Sequence, residues 1–384
     1  MEILLWYNIN YEVLIMRLIP IECVKKDTIL GKTIYDSEGR ILLKKGVKLT
    51  QLLIQKIKHL SILSIYIIDE YSDYEIEDII KPELRQKAIK ILKETFNDIQ
   101  RISSLHSFEK FSIENYSKHE LKYFENISTI SEELLDNILS NKNLLISLVD
   151  IKSMDNYTYQ HSVNVAVLSL VLGISLKLPK RKLIQLCSGA LLHDIGKTFI
   201  DKDIILKPGK LTPEEFDIIK THPEKGYYFL GDLYSINSNS KSIILQHHER
   251  VDGLGYPYGL SGDKINYMAK IVSIADVYDA LTSDRPYKRA MCPGDALEYI
   301  MSNSGTFFDY EMVKVFSRVI IPFPNGTIVC LSNGDIGIVE ETFPNYPLRP
   351  QIKILKSDNK EIVGSRINLL TELSIVISGI KYEA

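Results

Sequence analysis

Residues 187 to 197, CSGALLHDIGK, carry an apolar helix straight into an adjacent histidine and aspartate, His193 and Asp194, followed by Gly196 and Lys197. An imidazole and a carboxylate at a helix end can bind one divalent metal together, and the second carboxylate oxygen is free to reach another. The dipeptide alone is a weak signal, because His-Asp commonly serves a helix-end hydrogen bond. Its surroundings supply the constraint. Between Met154 and Ile321 the chain reads as mostly helix with loops marked by Pro and Gly, and five of its eight histidines fall there. His59, His106 and His119 lie outside.

The other candidate ligands are each ambiguous alone. His161 sits one to two turns into a helix begun near Ser153 or Asp155, in DNYTYQHSVNVA. His222 precedes a proline in THPEKG and closes a helix opened by a capping box, Thr212 to Glu215. His247 and His248 end the helix KSIILQHHE; adjacent helical side chains point roughly 100° apart, so the pair is expected to flank a two-metal site rather than chelate one ion together. Asp276 lies in the apolar helix AKIVSIADVYDAL, where a buried carboxylate must be ion-paired or bind metal. Together, five His and two Asp offer enough N and O donors for two octahedral ions with positions left over for solvent and substrate. Without thiolates the set suits Fe or Mn, with Ni, Co and Zn also open. Paired metals of this kind characterise in-line hydrolysis of phosphate esters.

Composition removes several alternatives. A net charge of −3 gives no phosphate-tracking surface for a nucleic acid polymer. Cys23, Cys187, Cys292 and Cys330 have no CxxC-type spacing and read as the incidental thiols of a cytoplasmic protein. The run VNVAVLSLVLGISLKL after Ser162 is short for a membrane span and carries Asn164 and serines, so it is expected to be a core helix. The apolar N-terminus lacks a basic n-region and a cleavage site. Met16 begins a more ordinary segment, which makes residues 1–15 an upstream start or a poorly ordered extension.

The expected organisation is mainly α. Residues 1–82 form a small α+β module: strand-like runs TILGKTIY, RILLKKG and SIYIID, with Thr50 capping the helix QLLIQKIKHL. Residues 83–150 are a helical linker region. It opens at Pro82 with apolar positions Leu84, Ala88, Ile91, Leu92, Thr95, Phe96, Ile99 and Ile102, has a loop or insertion over 103–125, and returns to helix from Ser131 to Val149. That first helix packs on the next domain or, alternatively, makes a homodimer contact. The all-helical segment 151–322 is followed by a small β-rich module over 323–384, with strands TIVCLS, IGIVEE, QIKILK and EIVG.

The order HS, HDIGK, HPEKG, HHERVDGLGYP and ADVYDALTSDRPYKRA resembles the HD-GYP family, a branch of the HD superfamily of metal phosphohydrolases, over about residues 147 to 322. The segments MRLIPI and DIGIVEETFPNYPLRP also resemble modules that flank this domain. The resemblance implies a metal-dependent phosphodiesterase of bacterial second-messenger signalling that hydrolyses cyclic di-GMP to pGpG, and onward to GMP, by a hydroxide bridging two metals. It implies His161, His193, Asp194, His222, His247, His248 and Asp276 as ligands, with Asp194 shared by both ions. Lys197, Arg285 and Lys288 would grip phosphate, which fits a planar guanidinium and a point-charge ammonium. Tyr256 would contact the ligand within a loop shaped by Gly253, Gly255 and Pro257, a loop the family also offers to diguanylate cyclases. Glu249 and Asp252 brace it. Where some members carry a Glu four residues before the first histidine, helping a third metal, this chain has Tyr157, and Asp155 is off that face; two metals are therefore expected. Two alternatives stand beside this reading: an HD hydrolase of another cyclic dinucleotide such as cyclic GMP-AMP, and a non-catalytic cyclic dinucleotide receptor.

Overall fold

The computed structural model describes residues 16–36, 39–60, 62, 64–69, 79–105, 118–140, 157–207, 209–231, 236–283, 290–343 and 345–381. The N-terminal part contains β1 (Arg17–Pro20), β2 (Ile29–Leu30), β3 (Ile34–Tyr35), β4 (Ile41–Leu43), α1 (Gln51–His59) and β5 (Ser64–Ile68). β5 is antiparallel to both β1 and β2, and β3 pairs with β4. Thr50 caps α1 as its sequence suggests, its Oγ1 accepting from Leu53 N at 3.3 Å. Ile19, Leu30, Leu49, Ile54 and Ile65 are buried in a core of this part's own, and Arg17 Nε donates to Asp69 at 2.9 Å beside it.

Pro82 opens the next helix, α2 (Pro82–Leu105), at the position where a missing N–H costs nothing. Ala88, Leu92, Phe96 and Ile99 are buried as their spacing predicts, joined by Ile89. α3 (Lys118–Ser140) departs from the sequence expectation, since helix is already established at 118 where a loop to 125 and a start at Ser131 were anticipated. Its apolar stripe, with Phe124, Ile127, Ile130, Leu134 and Ile138 buried, is thinned at its start by Ser, Lys and Glu, and packing against α2 and α5 supplies what local periodicity lacks. Residues 106–117 and 141–156 are outside the described set.

The helical region continues with α4 (Tyr157–Ser175), α5 (Lys180–Leu192), α6 (Lys202–Ile205), α7 (Pro213–Ile219), α8 (His222–Phe229), α9 (Ser238–Gln246), α10 (Tyr267–Thr282), α11 (Pro293–Ser302) and α12 (Tyr310–Val319). α4 is apolar on all sides because it is wrapped, with α5, α10, α2 and α12 against it. Among the described residues no helix is long and apolar enough to cross a membrane. One buried core runs from Ile79 through α2 and α3 into α4, α5, α9, α10 and α12, so the helices before residue 150 share the interior of those after it.

The C-terminal part holds β6 (Ile328–Leu331), β7 (Ile336–Glu341), β8 (Gln351–Lys356), β9 (Arg366–Asn368) and β10 (Ile377–Ile380), an antiparallel sheet in the order β10-β6-β7-β8-β9. The run EIVG, expected as a strand, instead enters a tight helical turn, Lys360–Ile362, capped by the Asn359 side chain accepting from Glu361 N at 3.1 Å. The cap gives that backbone a local partner in place of a strand neighbour.

Candidate metal centre

The site forms where helix ends converge on the middle of the α4–α5–α10 packing. His161 lies in the second turn of α4, His193 and Asp194 directly follow α5, His222 begins α8, His247 and His248 follow α9, and Asp276 sits mid-α10. Their ligand atoms form two groups, Asp194 with His222, His247 and His248, and His161 with His193 and Asp276, each spanning no more than 4.8 Å. Asp194 reaches both: Oδ1 is 3.4 Å from His222 Nε2 and Oδ2 is 3.5 Å from His193 Nε2.

Two local features differ from expectation. His222 starts α8 instead of closing α7; Thr212 and Glu215 do form the anticipated capping box, but α7 ends at Ile219 and Pro223 fits the first turn of a new helix. His247 and His248 also converge on one group instead of flanking the site, with ring centroids 4.1 Å apart. His247 keeps helical backbone and bonds Ile243 O, so the convergence comes from the side chains, whose rings tilt together at 44°.

Glycines allow the close approach. A Cβ on Gly196 would land on the His222 carbonyl oxygen, far inside van der Waals contact, and 2.7 Å from Gly226 N. Only a bare backbone lets the turn Ile195–Phe199 seat against α8, bringing Asp194 to His222.

The histidine tautomers define what the cavity can hold. Nδ1 of His193, His222 and His247 each meets the carbonyl three residues earlier, Ala190 O at 2.7 Å, Ile219 O at 2.8 Å and Ile244 O at 2.9 Å. A carbonyl only accepts, so each Nδ1 carries the proton and each Nε2 presents a lone pair inward. His222 Nε2 and His247 Nε2 thus face each other at 3.3 Å. His193 Nε2 and Asp194 Oδ1 are buried with no hydrogen-bond partner among the described residues. Opposed lone pairs and orphaned buried acceptors are costly alone and are satisfied together by cations, so the residues present fit divalent metal.

Electrostatics agree. Burial opposes ionisation of Asp194, yet Lys197, whose Nζ is 2.6 Å from Oδ2, and the adjacent His193 and His222 hold its carboxyl well below the ordinary value. Burial likewise opposes charge on Asp276, but the hydrogen bond and charge of His161 keep its carboxyl low. His193 and His247 are held below the ordinary histidine value chiefly by burial. His161 goes the other way: burial is outweighed by its bonds to Asp276 and Asp279, and its pKa is pushed up to about 9.

These shifts fix how the metal-free protein responds to pH. The unfolded chain binds protons at His193 and His247 that the folded chain refuses, so their contribution is present above ~6.5 and lost on acidification. The His161 contribution is full below the unfolded value and lost as pH rises through about 9. Thermal midpoints of metal-free protein should therefore fall on both sides of pH ~6.5, and a midpoint still climbing toward pH ~9 would contradict this assignment.

Asp279 is a site residue that the ligand pattern does not reveal. Its Oδ2 accepts from His161 Nδ1 at 2.7 Å, turning His161 Nε2 toward Asp276 Oδ1 at 3.1 Å. Its Oδ1 accepts from Asn164 Nδ2 at 3.0 Å. The available signal was spacing: Asp279 is one turn beyond Asp276, and Asn164 one turn beyond His161, each in an apolar helix. A carboxylate behind a ligating histidine typically carries about 10–100-fold in metal affinity. Asp279→Asn should lose that much in a Mn²⁺ titration, and unchanged affinity would count against the role.

Tyr256 stacks on His248 with centroids 4.6 Å apart, next to a cis bond to Pro257. Glu249 braces its loop as expected, accepting from Tyr258 N and Leu260 N, each at 2.8 Å, and Asp252 pairs with Arg250 and accepts from Leu254 N at 3.0 Å. Arg285 and Lys288 lie outside the described residues.

Residues 133–312 match the HD domain family, and residues 328–381 match a KOW domain associated with HD domain. A cyclic di-GMP phosphodiesterase of Pseudomonas aeruginosa is 37% identical over 235 residues, 61% of this chain and 56% of that protein. This chain thus spans less than two thirds of that relative. A cyclic di-GMP phosphodiesterase of Thermotoga maritima is 31% identical over 263 residues, 66% of this chain and 71% of the relative. Among solved structures, an HDG"Y"P protein of Bdellovibrio bacteriovorus shares the fold with a TM-score of 0.51 at 19% identity, over 78% of this chain and 98% of that one. With the Thermotoga relative matched over most of its length and the HD-domain match covering the helices that carry the His/Asp cluster, the chain belongs to the HD-domain family.

Proposed function

We propose that this chain is a metal-dependent phosphodiesterase that hydrolyses cyclic di-GMP to linear pGpG and onward to GMP. The observation that carries the reading is the convergence of His161, His193, Asp194, His222, His247, His248 and Asp276, with the imidazole lone pairs of His193, His222 and His247 turned inward and one carboxylate spanning both groups. These residues would hold two divalent ions, Fe or Mn by their N and O donors. When bound, such a pair supplies an activated water and neutralises phosphoryl charge.

The chain's own residues do the rest. Lys197, paired with Asp194 and about a third exposed at 32%, is positioned to exchange that contact for a phosphate oxygen. Tyr256 lies against His248; burial above all, then the Asp276 and Asp194 carboxylates, raises its phenol pKa, so it donates a hydrogen bond without giving up its proton. Arg285 and Lys288 complete the phosphate grip in this reading. The loop also exposes Leu254 (76%) and Tyr258 (50%), which suits the docking of a partner such as a diguanylate cyclase.

The test is anaerobic incubation of Fe- or Mn-reconstituted protein with cyclic di-GMP and, separately, with 3′3′-cyclic GMP-AMP. Metal-dependent pGpG or GMP from the first is the expected product. Metal-loaded protein that binds the nucleotide and leaves it intact would overturn hydrolysis in favour of a receptor.

A further inference from the structure

A buried polar chain runs from the start of α2 to the metal centre. Arg85, 9% exposed, reaches out of the first turns of α2 and donates from one guanidinium nitrogen to Asn164 Oδ1 at 2.6 Å. Asn164 Nδ2 donates to Asp279 Oδ1 at 3.0 Å, and Asp279 Oδ2 accepts from His161 Nδ1 at 2.7 Å. His161 Nε2 then faces Asp276 Oδ1 at 3.1 Å. Three of the helices packed into one core, α2, α4 and α10, each contribute a member.

The direction of this chain is fixed from both ends, and Arg85 supplies the outer one. An asparagine side chain presents an oxygen on one edge and an amide on the other; the Asp279 carboxylate only accepts and takes the amide, which leaves the oxygen to be held by a donor. A guanidinium can only donate, so Arg85 binds the oxygen and turns the amide toward Asp279. Reversed, Asn164 would aim its oxygen at a carboxylate, and Asp279 would lose a donor while buried. We propose that Arg85 is a positioning residue for the metal centre: through Asn164 and Asp279 it holds His161 in its ligating orientation, so metal retention by the His161–His193–Asp276 group depends on how the start of α2 is seated.

Ile79 and Ile80, which lead into α2, are buried in the helical core, and Lys81 N donates to Asn137 Oδ1 of α3 at 3.0 Å. Arg85 stands one turn further on. A shift of this segment would withdraw the guanidinium without touching any ligand.

The inference rests on the cluster holding metal, and the test separates the two. Mn²⁺ binding to metal-free full-length chain would be titrated calorimetrically for wild type, Arg85→Met, Arg85→Lys and Lys87→Met, with the metal-free thermal midpoint of each. Lys87 is on the same helix in an exposed pair with Glu133 and serves as the control. Arg85→Met should weaken one of two Mn²⁺ equivalents by about 10-fold, the lower end for a group acting from behind a ligand, and leave the other unchanged. Arg85→Lys, which keeps a donor for Asn164, should recover part of the loss, and Lys87→Met should change neither. Wild-type affinity for both equivalents in Arg85→Met, or an Arg85→Lys no better than Arg85→Met, even with a lowered midpoint, would make Arg85 a structural strut only. Wild type that takes up no Mn²⁺ would instead overturn the metal reading beneath it.

Discussion

Asp194→Ala is expected to abolish turnover, by roughly 10³-fold or more, the scale of losing a principal electrostatic group in a site. The reason is position. Asp194 Oδ1 addresses His222 and Oδ2 addresses His193, so it alone among the candidate ligands touches both groups at under 3.6 Å. Alanine leaves the His222–His247–His248 trio without an anionic donor, and leaves Lys197 without the carboxylate that now holds it. Folding should survive, because the Lys197 ammonium, 32% exposed, can turn to solvent once the carboxylate is gone. Turnover within about 10-fold of wild type in a protein that keeps its metals would contradict the bridging role.

The second large effect belongs to a residue with no side chain. Gly196→Ala places a methyl group on the His222 carbonyl oxygen and near Gly226 N, both backbone atoms that no rotamer change can move. The turn after His193–Asp194 and the start of α8 must separate, carrying Asp194 away from His222. A cost on the order of 3 kcal/mol or more is expected, at the upper end for overpacking, with loss of metal from the group containing His222. Gly226→Ala is the contrast: its new methyl group meets Ile244 Cγ2 at 3.0 Å and Gly196 N at 3.1 Å, so part of the strain can relax through the isoleucine. Chemical denaturation of both variants checks this, and a Gly196→Ala change below ~0.5 kcal/mol would show the approach to be looser than the structure has it.

Much of this was legible in the sequence because it is written in local chemistry. The capping box at Thr212, the cap at Thr50 and the proline opening α2 each state a helix start within a few residues. The candidate ligands come in ordered blocks, and the structure brings all seven together. The failures are equally local in cause. α3 begins at Lys118 although its first turns are polar, because burial of Phe124 and Ile127 against other helices decides the matter. Helical rotation sets the His247 and His248 backbone directions but not their side-chain torsions, which bring the two rings 4.1 Å apart. Arg85, Asn164 and Asp279 join in space across long stretches of chain, and each alone reads as an ordinary polar residue in a helix.

Anomalous diffraction from crystals of the protein grown with Mn²⁺ under anaerobic conditions tests the central claim most directly. The account predicts two peaks roughly 3.5–4 Å apart, one among His222, His247 and His248, the other among His161, His193 and Asp276, with Asp194 between them. A single peak away from Asp194, or none in protein that folds with this histidine arrangement, would contradict it.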